Sequence, residues 1–453
     1  MSAEAPTPMA SSKVHRYHAA HPTFAAERTV LPLPEPPAAQ RYPLTISADR
    51  RRLLDAEGKP FLVQGDTCWS LIANLEYAEA IRYLDDRRAK GFNTILVNLI
   101  EHLFSKDPPR DLAGREPFSR KGDLGAPNDA YFDAAERVLE AAADRGFCVI
   151  LAPCYIGYKH DRGAGISPHF DGWYDEIVAT GPEGCRRYGE YLGKRFGRFA
   201  NIVWCIGGDW HPEDSRPGLD AIAHGIRATG VKNLFTAHPH PEFSPIESFP
   251  GADWLDVNIT YTYGTVHRAL IEDWKRDPAW PFFLLESTYE GEHNASTQQI
   301  RRQAYWSVLC GGNGHVFGNH PIWLFWEGWE QALDLPGSIA MARWGAFFRA
   351  FPWSELMPDL ERSFVIGGLG EARGLDRVTA AATADGRLGA AYLPVRRPVE
   401  IRLDALRGPR LALEWFEPAT GRRASGGILA TEGTVTLAPP FEEDSMLTLT
   451  SFA

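Results

Sequence analysis

Several features that would point to a particular class of protein are scarce or missing in this sequence. Its 453 residues include only six cysteines, and no two of them form a CxxC pair, so neither a zinc site nor a redox pair is indicated. The formal net charge is −11 and no polybasic run is present, which argues against a nucleic-acid partner. No window reaches ~18 consecutive apolar residues, so neither a transmembrane helix nor a membrane partner is expected. The N-terminus shows no apolar signal-peptide core, which predicts a cytoplasmic protein.

Three stretches of different character divide the chain. Residues 1–43 are rich in proline, which prevents regular hydrogen-bonded ladders, and we interpret them as an extended arm. Residues 44–355 begin with a small hairpin and then alternate apolar runs with helical patterns, which predicts an α/β fold, the (β/α)8 TIM barrel. Residues 356–453 hold six short runs separated by turn residues, which predicts an antiparallel β-sandwich domain. The eight predicted barrel strands are Phe61–Gly65, Thr94–Leu99, Cys148–Ala152, Ile202–Ile206, Leu234–Ala237, Leu255–Ile259, Phe282–Leu285 and His315–Gly318.

Two of the predicted strands end in an acid close to an aromatic side chain. Asp209 follows the fourth strand and precedes Trp210, and Glu286 follows the seventh strand shortly before Tyr289. The carboxyl ends of barrel strands meet at the catalytic face, so the two carboxylates are expected to share one cavity. Paired carboxylates among aromatic rings suggest glycoside hydrolysis, in which Asp209 would be the general acid and Glu286 the nucleophile. Glu290 is the next candidate for the nucleophile.

Further polar and aromatic residues follow the other predicted strands. A carboxylate or an amide there can bind sugar hydroxyls, an imidazole can donate to the substrate or to Glu286, and an indole can stack on a sugar ring. Each residue also has a structural interpretation, as a helix cap, a buried amide or a packed ring. His238 and His240 have no evident third ligand beside them, so no metal and no cofactor are predicted. The candidate substrate-binding residues are Asp66, Trp69, Asn98, Trp210, His238, Tyr261, Tyr289, Trp323 and Trp326.

Several of these motifs resemble one known family. The runs Phe61-Leu-Val-Gln-Gly-Asp-Thr-Cys-Trp69 and Asn201-Ile-Val-Trp-Cys-Ile-Gly-Gly-Asp209, with Glu286, are similar to the apiosidase-like barrel family, which includes glycoside hydrolase family 140. The run Trp415-Phe-Glu-Pro-Ala-Thr-Gly421 is similar to the β-domain named for collagen binding. The resemblance implies retaining hydrolysis of a glycosidic bond by an Asp after the fourth strand and a Glu after the seventh, positions that match Asp209 and Glu286.

The activity described for that family is release of apiose from a pectic side chain. Two loops, 98–102 and 258–264, differ from the family's pattern and would shape the sugar pocket. We therefore expect the family's reaction here but not necessarily the same sugar. We therefore predict a retaining glycosidase that releases a terminal apiose-like or other furanose or pyranose from an oligosaccharide or glycoside. Exo action is expected because the tryptophan-rich loop 319–329 would close the pocket at one end. The alternatives are an inverting hydrolase, an arabinofuranosidase-type hydrolase and a non-catalytic carbohydrate-binding barrel. The expected partner is a carbohydrate substrate, and homo-oligomerisation stays open.

Overall fold

The computed structural model describes residues 41–102, 104–160, 169–170 and 172–452. The predicted proline-rich arm therefore lies almost entirely outside the described residues. Within them, a two-stranded hairpin of Thr45–Ile46 and Leu53–Leu54 precedes an eight-stranded parallel sheet, and antiparallel sheets form the C-terminal region. In the described part of the chain, no helix combines the length and the apolar character that crossing a membrane requires.

The eight parallel strands close into a barrel, which confirms the predicted α/β fold. Neighbours are hydrogen-bonded in the order sixth, seventh, eighth, first, second, third, fourth and fifth. Between the fifth and sixth strands, the Phe235 carbonyl oxygen accepts hydrogen bonds from the backbone N–H groups of Asp256 and Val257, at 2.9 and 3.0 Å. In chain order the barrel strands are Val63–Thr67, Thr94–Asn98, Cys148–Ala152, Ile202–Gly207, Phe235–His238, Asn258–Tyr261, Phe282–Glu286 and Gly314–Phe317.

Helices cover the outside of the barrel. The residues of the barrel strands are buried on both faces, which explains why the sequence shows near-continuous apolar runs there rather than alternation. The helix after the fifth strand has only four residues, and a single turn is too short to produce a helical pattern in the sequence. The helices that follow the eight strands are Tyr77–Ala89, Asp129–Asp144, Tyr174–Phe196, Arg216–Ala228, Pro245–Ser248, Val266–Trp274, Thr297–Leu309 and Pro336–Arg349, with short additional helices at Leu71–Asn74 and Trp329–Ala332.

The C-terminal region consists of two antiparallel sheets, as predicted. Asp385-Gly386 forms a hairpin turn between Thr379–Thr383 and Leu388–Leu393, and Gly386 adopts the left-handed φ of 71° that suits glycine. In sheet order the larger sheet contains Leu356–Pro358, Thr379–Thr383, Leu388–Leu393, Ser445–Phe452, Arg410–Phe416 and Arg423–Ala430. The smaller sheet contains Val365–Gly367, Val399–Arg402 and Thr434–Leu437.

The larger sheet packs on the barrel helix Thr297–Leu309. From that helix, Arg301 donates to both carboxylate oxygens of Asp444, with its shortest hydrogen bond at 2.6 Å. The Tyr392 hydroxyl donates to the same carboxylate at 2.9 Å, and the Tyr392 ring stacks on Tyr305 with centroids 4.8 Å apart. A buried ion pair and a stacked ring pair therefore hold the β-domain against the barrel.

Candidate active site

Side chains from three barrel strands meet at the carboxyl face. Glu286 and His238 end the seventh and fifth strands, and Asp209 follows the fourth strand by two residues. The Nε2 atom of His238 lies 3.1 Å from Glu286 Oε2 in a hydrogen bond. Its Nδ1 atom lies 3.2 Å from Asp209 Oδ1, in a charge contact without hydrogen-bond alignment, and 3.3 Å from the Pro239 carbonyl oxygen. His238 is thus placed between the two predicted catalytic acids.

The three side chains are close enough to act on one small group. One ligand atom from each of Asp209, His238 and Glu286 lies within 4.8 Å of the other two. Carboxylate and imidazole atoms at this spacing can hold a divalent cation. The same spacing also suits two carboxylates that act on one anomeric carbon, with the imidazole between them as a hydrogen-bonding and charge partner.

Each acid has a tyrosine partner. The Tyr155 hydroxyl, from the loop after the third strand, donates to Asp209 Oδ2 at 2.8 Å. The Tyr263 hydroxyl, from the loop after the sixth strand, donates to Glu286 Oε1 at 2.8 Å. Tyr155 is not among the candidates predicted from the sequence. Its position just after a barrel strand could have identified it, because such residues lie at the catalytic face. Tyr263 rather than Tyr261 supplies the sixth-strand contact with Glu286.

The electrostatics of the site favour charge on His238. Burial disfavours the imidazolium, but the charge of Asp209 and the hydrogen bond and charge of Glu286 outweigh it, so the pKa of His238 is raised above its ordinary 6.5. Burial also raises the pKa of Tyr263, and the negative charge of Glu286 raises it further. The Tyr263 hydroxyl therefore stays protonated and remains a donor to Glu286.

Two predicted aromatic residues pack against His238. The Trp69 ring lies 5.5 Å from the His238 ring and 5.7 Å from the Tyr155 ring, measured between centroids. The Tyr261 ring lies 5.0 Å from His238 on an edge-to-face approach. Both rings are buried, so they pack against the side chains that position the two acids.

A cluster of rings lies at the surface beside Asp209. We call Trp210, His211, His240 and Phe243 the aromatic platform. His211 and His240 stack nearly parallel with centroids 4.8 Å apart, Trp210 meets His240 edge-on at 4.9 Å, and Phe243 meets His211 at 4.6 Å. Phe243 is 42% exposed although it is a large apolar residue. Trp210 alone was a candidate, and the other rings follow the ends of the fourth and fifth strands.

The tryptophan-rich loop after the eighth strand is divided between the site and the surface. Trp323 Nε1 donates to Glu292 Oε1 at 2.8 Å, and the Trp323 ring meets Phe104 at 5.4 Å. Trp326 is 46% exposed and its ring lies near that of His320. Trp329 is buried against Phe325. The structure therefore places Trp323 in contact with Phe104 and leaves Trp326 at the surface.

Asp66 and Asn98 are buried and contact other side chains in the protein interior. Asp66 is fully buried, accepts a hydrogen bond from the Tyr83 hydroxyl at 2.7 Å and forms an ion pair with Arg87. The Asn98 side chain is also buried, with its amide nitrogen 3.4 Å from Glu101 Oε1. The structure does not bring either residue together with the two acids. Asp66 is also not the helix cap that was its structural alternative, because Ser70 and Glu76 are the N-caps of the two helices that follow it.

Tyr289 and Glu290 follow the nucleophile candidate along the chain. Tyr289 is buried, and its ring lies 6.5 Å from the Trp323 ring, measured between centroids. The Glu290 carboxylate accepts from the Gly337 backbone N–H at 2.6 Å and from Asn319 Nδ2 at 2.8 Å. These partners tie Glu290 to the start of the last barrel helix, so its position fits a structural role.

A third carboxyl group lies after the second strand. Glu101 is buried, and its Oε1 accepts a hydrogen bond from the Ser70 hydroxyl at 2.7 Å. Burial raises the pKa of Glu101 to about 7, and its hydrogen bonds with Ser70 and Asn98 only partly oppose that shift. No local pattern of residues distinguishes this glutamate, because its burial depends on the surrounding loops.

Solved structures share this architecture. A structure titled "Glycoside hydrolase" superposes with a TM-score of 0.78 at 23% identity, covering 90% of this chain and 96% of that chain. A glycoside hydrolase family 5 from Bacteroides vulgatus gives a TM-score of 0.78 at 22% identity, covering 90% of this chain and 93% of that chain. No curated protein matches the chain.

The fold, taken together with the family match, places the chain among the glycoside hydrolases. Residues 47–355 match the family described as "Apiosidase-like, catalytic domain", and the chain belongs to that family. Residues 361–450 match the family described as "Putative collagen-binding domain of a collagenase". The family resemblance seen in the sequence motifs is confirmed for both regions.

Proposed function

We propose that this protein is a retaining glycosidase in which Asp209 is the acid/base and Glu286 is the nucleophile. The supporting observation is the approach of the two carboxylates, each with an oxygen within 4.8 Å of the other and of His238. Carboxyl groups about 5–5.5 Å apart fit retention, whereas inverting enzymes need about 6.5–9.5 Å to admit a water molecule. The short spacing favours retention over the inverting alternative.

The proposed reaction has two steps. A Glu286 oxygen attacks the anomeric carbon while Asp209 gives its proton to the leaving oxygen, so the glycosidic bond breaks and a glycosyl ester forms. Asp209 then takes a proton from a water molecule, the water oxygen attacks the anomeric carbon, and the ester bond breaks to release the sugar. Both carboxyl groups return to their starting protonation states.

His238 and Tyr263 act as positioning residues in this proposal. Each contacts a different oxygen of Glu286, at 3.1 and 2.8 Å, so together they hold the plane of the carboxylate. A nucleophile held in one orientation reacts without first losing rotational freedom. Although burial opposes it, the charges of Asp209 and Glu286 raise the pKa of His238, so the ring is a charge partner for whichever of the two acids is ionised.

The proposed substrate is a glycoside or oligosaccharide that carries a terminal apiose-like or other furanose or pyranose. A chain of ring contacts forms an aromatic wall from Trp69 through Tyr155 and Phe104 to Trp323, with centroid distances of 5.7, 5.9 and 5.4 Å. A continuous wall on one side of the acids supports exo action. The aromatic platform lies beside Asp209. Because Asp209 protonates the leaving oxygen, the leaving group is bound on this side of the site.

Hydrolysis of a panel of 4-nitrophenyl glycosides, pyranosides and furanosides alike, tests this proposal. For the sugar that is cleaved, we expect the first product seen by NMR to keep the anomeric configuration of the substrate. We expect Asp209→Asn and Glu286→Gln each to lower kcat at least ~100-fold, since general acid catalysis alone contributes about 10²–10⁴. Glu290→Gln serves as the matched control, and its activity per folded molecule should stay near that of the wild type.

Three outcomes would contradict the proposal in different ways. Inversion at the anomeric carbon would favour the inverting alternative, and full activity of both acid variants would reject the site. Activity that is lost with EDTA and restored by a divalent cation would show that the Asp209–His238–Glu286 group holds a metal. Carbohydrate binding without hydrolysis of any substrate in the panel would favour the non-catalytic alternative.

A further inference from the structure

A polar cavity lies where the barrel meets the β-domain. It measures about 50 Å³ and lies between the loops after the sixth and seventh strands, the helix Thr297–Leu309 and the β-domain segment 373–375. A volume of about 10–15 Å³ is enough for one water molecule, so this cavity has room for several waters or for one small ion. Its lining includes Ser287 and Thr288, which directly follow Glu286 in the chain, and Tyr263, whose hydroxyl donates to Glu286.

The charge that lines this cavity is unbalanced. Its lining includes Arg302 and Arg373 and contains neither aspartate nor glutamate. Arg302 is 6% exposed, and the described residues place no carboxylate within ion-pair distance of it. The two acids that act on it electrostatically from farther away are engaged elsewhere, Asp444 by Arg301 and Asp376 by Arg397. A buried guanidinium without a carboxylate partner is costly unless another anion or solvent compensates it.

Arg302 still has unused hydrogen-bonding capacity. Its Nη1 donates to the Leu375 carbonyl oxygen, and its guanidinium lies 5.7 Å from the Trp306 ring centroid. Its Nε has no hydrogen-bond partner among the described residues. A guanidinium with a free donor and an oriented plane is suited to an oxyanion.

Two buried neighbours in the cavity lining also have an unpartnered polar atom. Ser287 Oγ has no hydrogen-bond partner in the described part of the chain and can donate to an anion. Gln303 donates from Nε2 to the Thr288 carbonyl oxygen at 3.0 Å, which orients the amide and leaves Oε1 without a donor. An oxyanion that carries its own O–H group would satisfy both neighbours.

We propose that this cavity binds a small oxyanion that also donates a hydrogen bond, such as hydrogen phosphate or a 2-hydroxy carboxylate. Arg302 and Arg373 would neutralise the anion, Ser287 would donate to it, and Gln303 Oε1 would accept from its hydroxyl. Such a ligand would connect the β-domain segment 373–375 with the loop that follows Glu286. The cavity lining includes Tyr263 of the proposed active site, but the inference rests on Arg302, Arg373, Ser287 and Gln303 and does not depend on the proposed glycosidase activity.

Isothermal titration calorimetry of the full-length protein, near neutral pH and at constant ionic strength, tests the site with two pairs of probes. Phosphate is compared with sulfate, and glycolate with acetate, so that each pair differs mainly in having a hydroxyl donor. We expect one saturable site that prefers phosphate to sulfate or glycolate to acetate, and the preferred pair identifies the class of ligand. A preference of about fivefold or more corresponds to one hydrogen bond of about 1 kcal/mol.

Variants assign the binding to this cavity. Arg302→Gln should weaken binding at least ~10-fold, since hydrogen bonds to charged groups contribute about 1.5–3 kcal/mol. If that variant does not fold, Ser287→Ala and the exposed-site variant Arg373→Gln supply the same test with smaller expected losses. Arg268→Gln, an exposed arginine outside the cavity lining, is the matched control and should bind as the wild type does. No saturable binding by the wild type would show that the cavity holds water only, and equal binding by all variants would show an adventitious ion only.

Discussion

At the scale of single residues, the most informative feature is that Glu286 is held at both carboxylate oxygens. Tyr263 donates to Oε1 and His238 contacts Oε2. Neither partner is adjacent to Glu286 in the sequence, since they come from the sixth and fifth strands. The orientation of the proposed nucleophile is therefore a property of three strand ends together.

Removing the Tyr263 hydroxyl should slow catalysis. We expect Tyr263→Phe to lower kcat by about 5–10-fold with little change in KM, because the lost hydrogen bond contributes about 1–1.4 kcal/mol. Steady-state kinetics measure both parameters. Tyr77→Phe, at an exposed tyrosine that contacts Arg137 on the outer helices, is the control, and an equal loss in both variants would contradict the role of Tyr263.

Glu101 should make stability depend on pH. Its pKa is about 7 in the folded protein and 4.5 as a free side chain, so the folded state binds this proton more tightly between those values. Stability should therefore decrease as pH rises from about 4.5 to about 7. Urea unfolding of the wild type and of Glu101→Gln across this range measures the effect. As pH rises, the free energy of unfolding of the wild type should fall relative to that of the variant. The exposed-site variant Glu432→Gln should follow the wild type, and a constant difference for Glu101→Gln would contradict the prediction.

At the scale of elements, the helix Thr297–Leu309 has two functions in the fold. One face covers the barrel, and residues such as Arg301 and Tyr305 contact the larger β-domain sheet. Ten of its thirteen residues are buried, including two arginines, which is unusual for charged side chains. The helix pattern alone predicts one buried face, and the second face is explained only by the β-domain.

Breaking the Arg301–Asp444 pair should destabilise this junction. Arg301→Met leaves the Asp444 carboxylate buried without its cation, and we expect a loss of about 3–5 kcal/mol in the free energy of unfolding. Urea unfolding measures the change, and adding Asp444→Asn should recover part of it. Arg396→Met, which removes an exposed pair with Glu442, should cost less than ~1 kcal/mol. Equal costs for the two arginine variants would contradict the buried role of Arg301.

The tryptophan-rich loop shows how one element can divide its function. Its sequence predicts that the loop closes the pocket at one end and that Trp323 and Trp326 stack on the substrate, because loops at the catalytic face commonly carry function. In the structure only Trp323 joins the aromatic wall, while Trp326 is exposed and Trp329 is buried. The spacing of these rings along an irregular loop carries no periodicity from which their directions could be predicted.

At the scale of the whole molecule, the acidic net charge conceals local differences. The chain carries −11 overall, yet the junction between barrel and β-domain places two arginines around a cavity without an acid. Composition averages over the surface, whereas the fold brings parts of segments 263–266, 287–288, 299–306 and 373–375 around one cavity. A cytoplasmic location stays a prediction from the sequence, and homo-oligomerisation stays open.

The sequence by itself determined the barrel, the β-domain and the family. Strands buried on both faces require apolar runs, parallel connections require intervening helices, and both patterns are local and periodic. It also marked Asp209 and Glu286, because the ends of parallel strands must meet at one face. These features depend on position along an element, which a sequence shows directly.

Only the tertiary structure decided which side chains reach the acids. Asp66 occupies a strand end like Asp209, but Arg87 and Tyr83 from the following helix bind it in the interior. His238 lies between the two acids, and the rings of the aromatic platform lie beside Asp209. Both arrangements arise because separate loops converge there. Such contacts are set by distances between residues far apart in sequence, and no local pattern of residues encodes those distances.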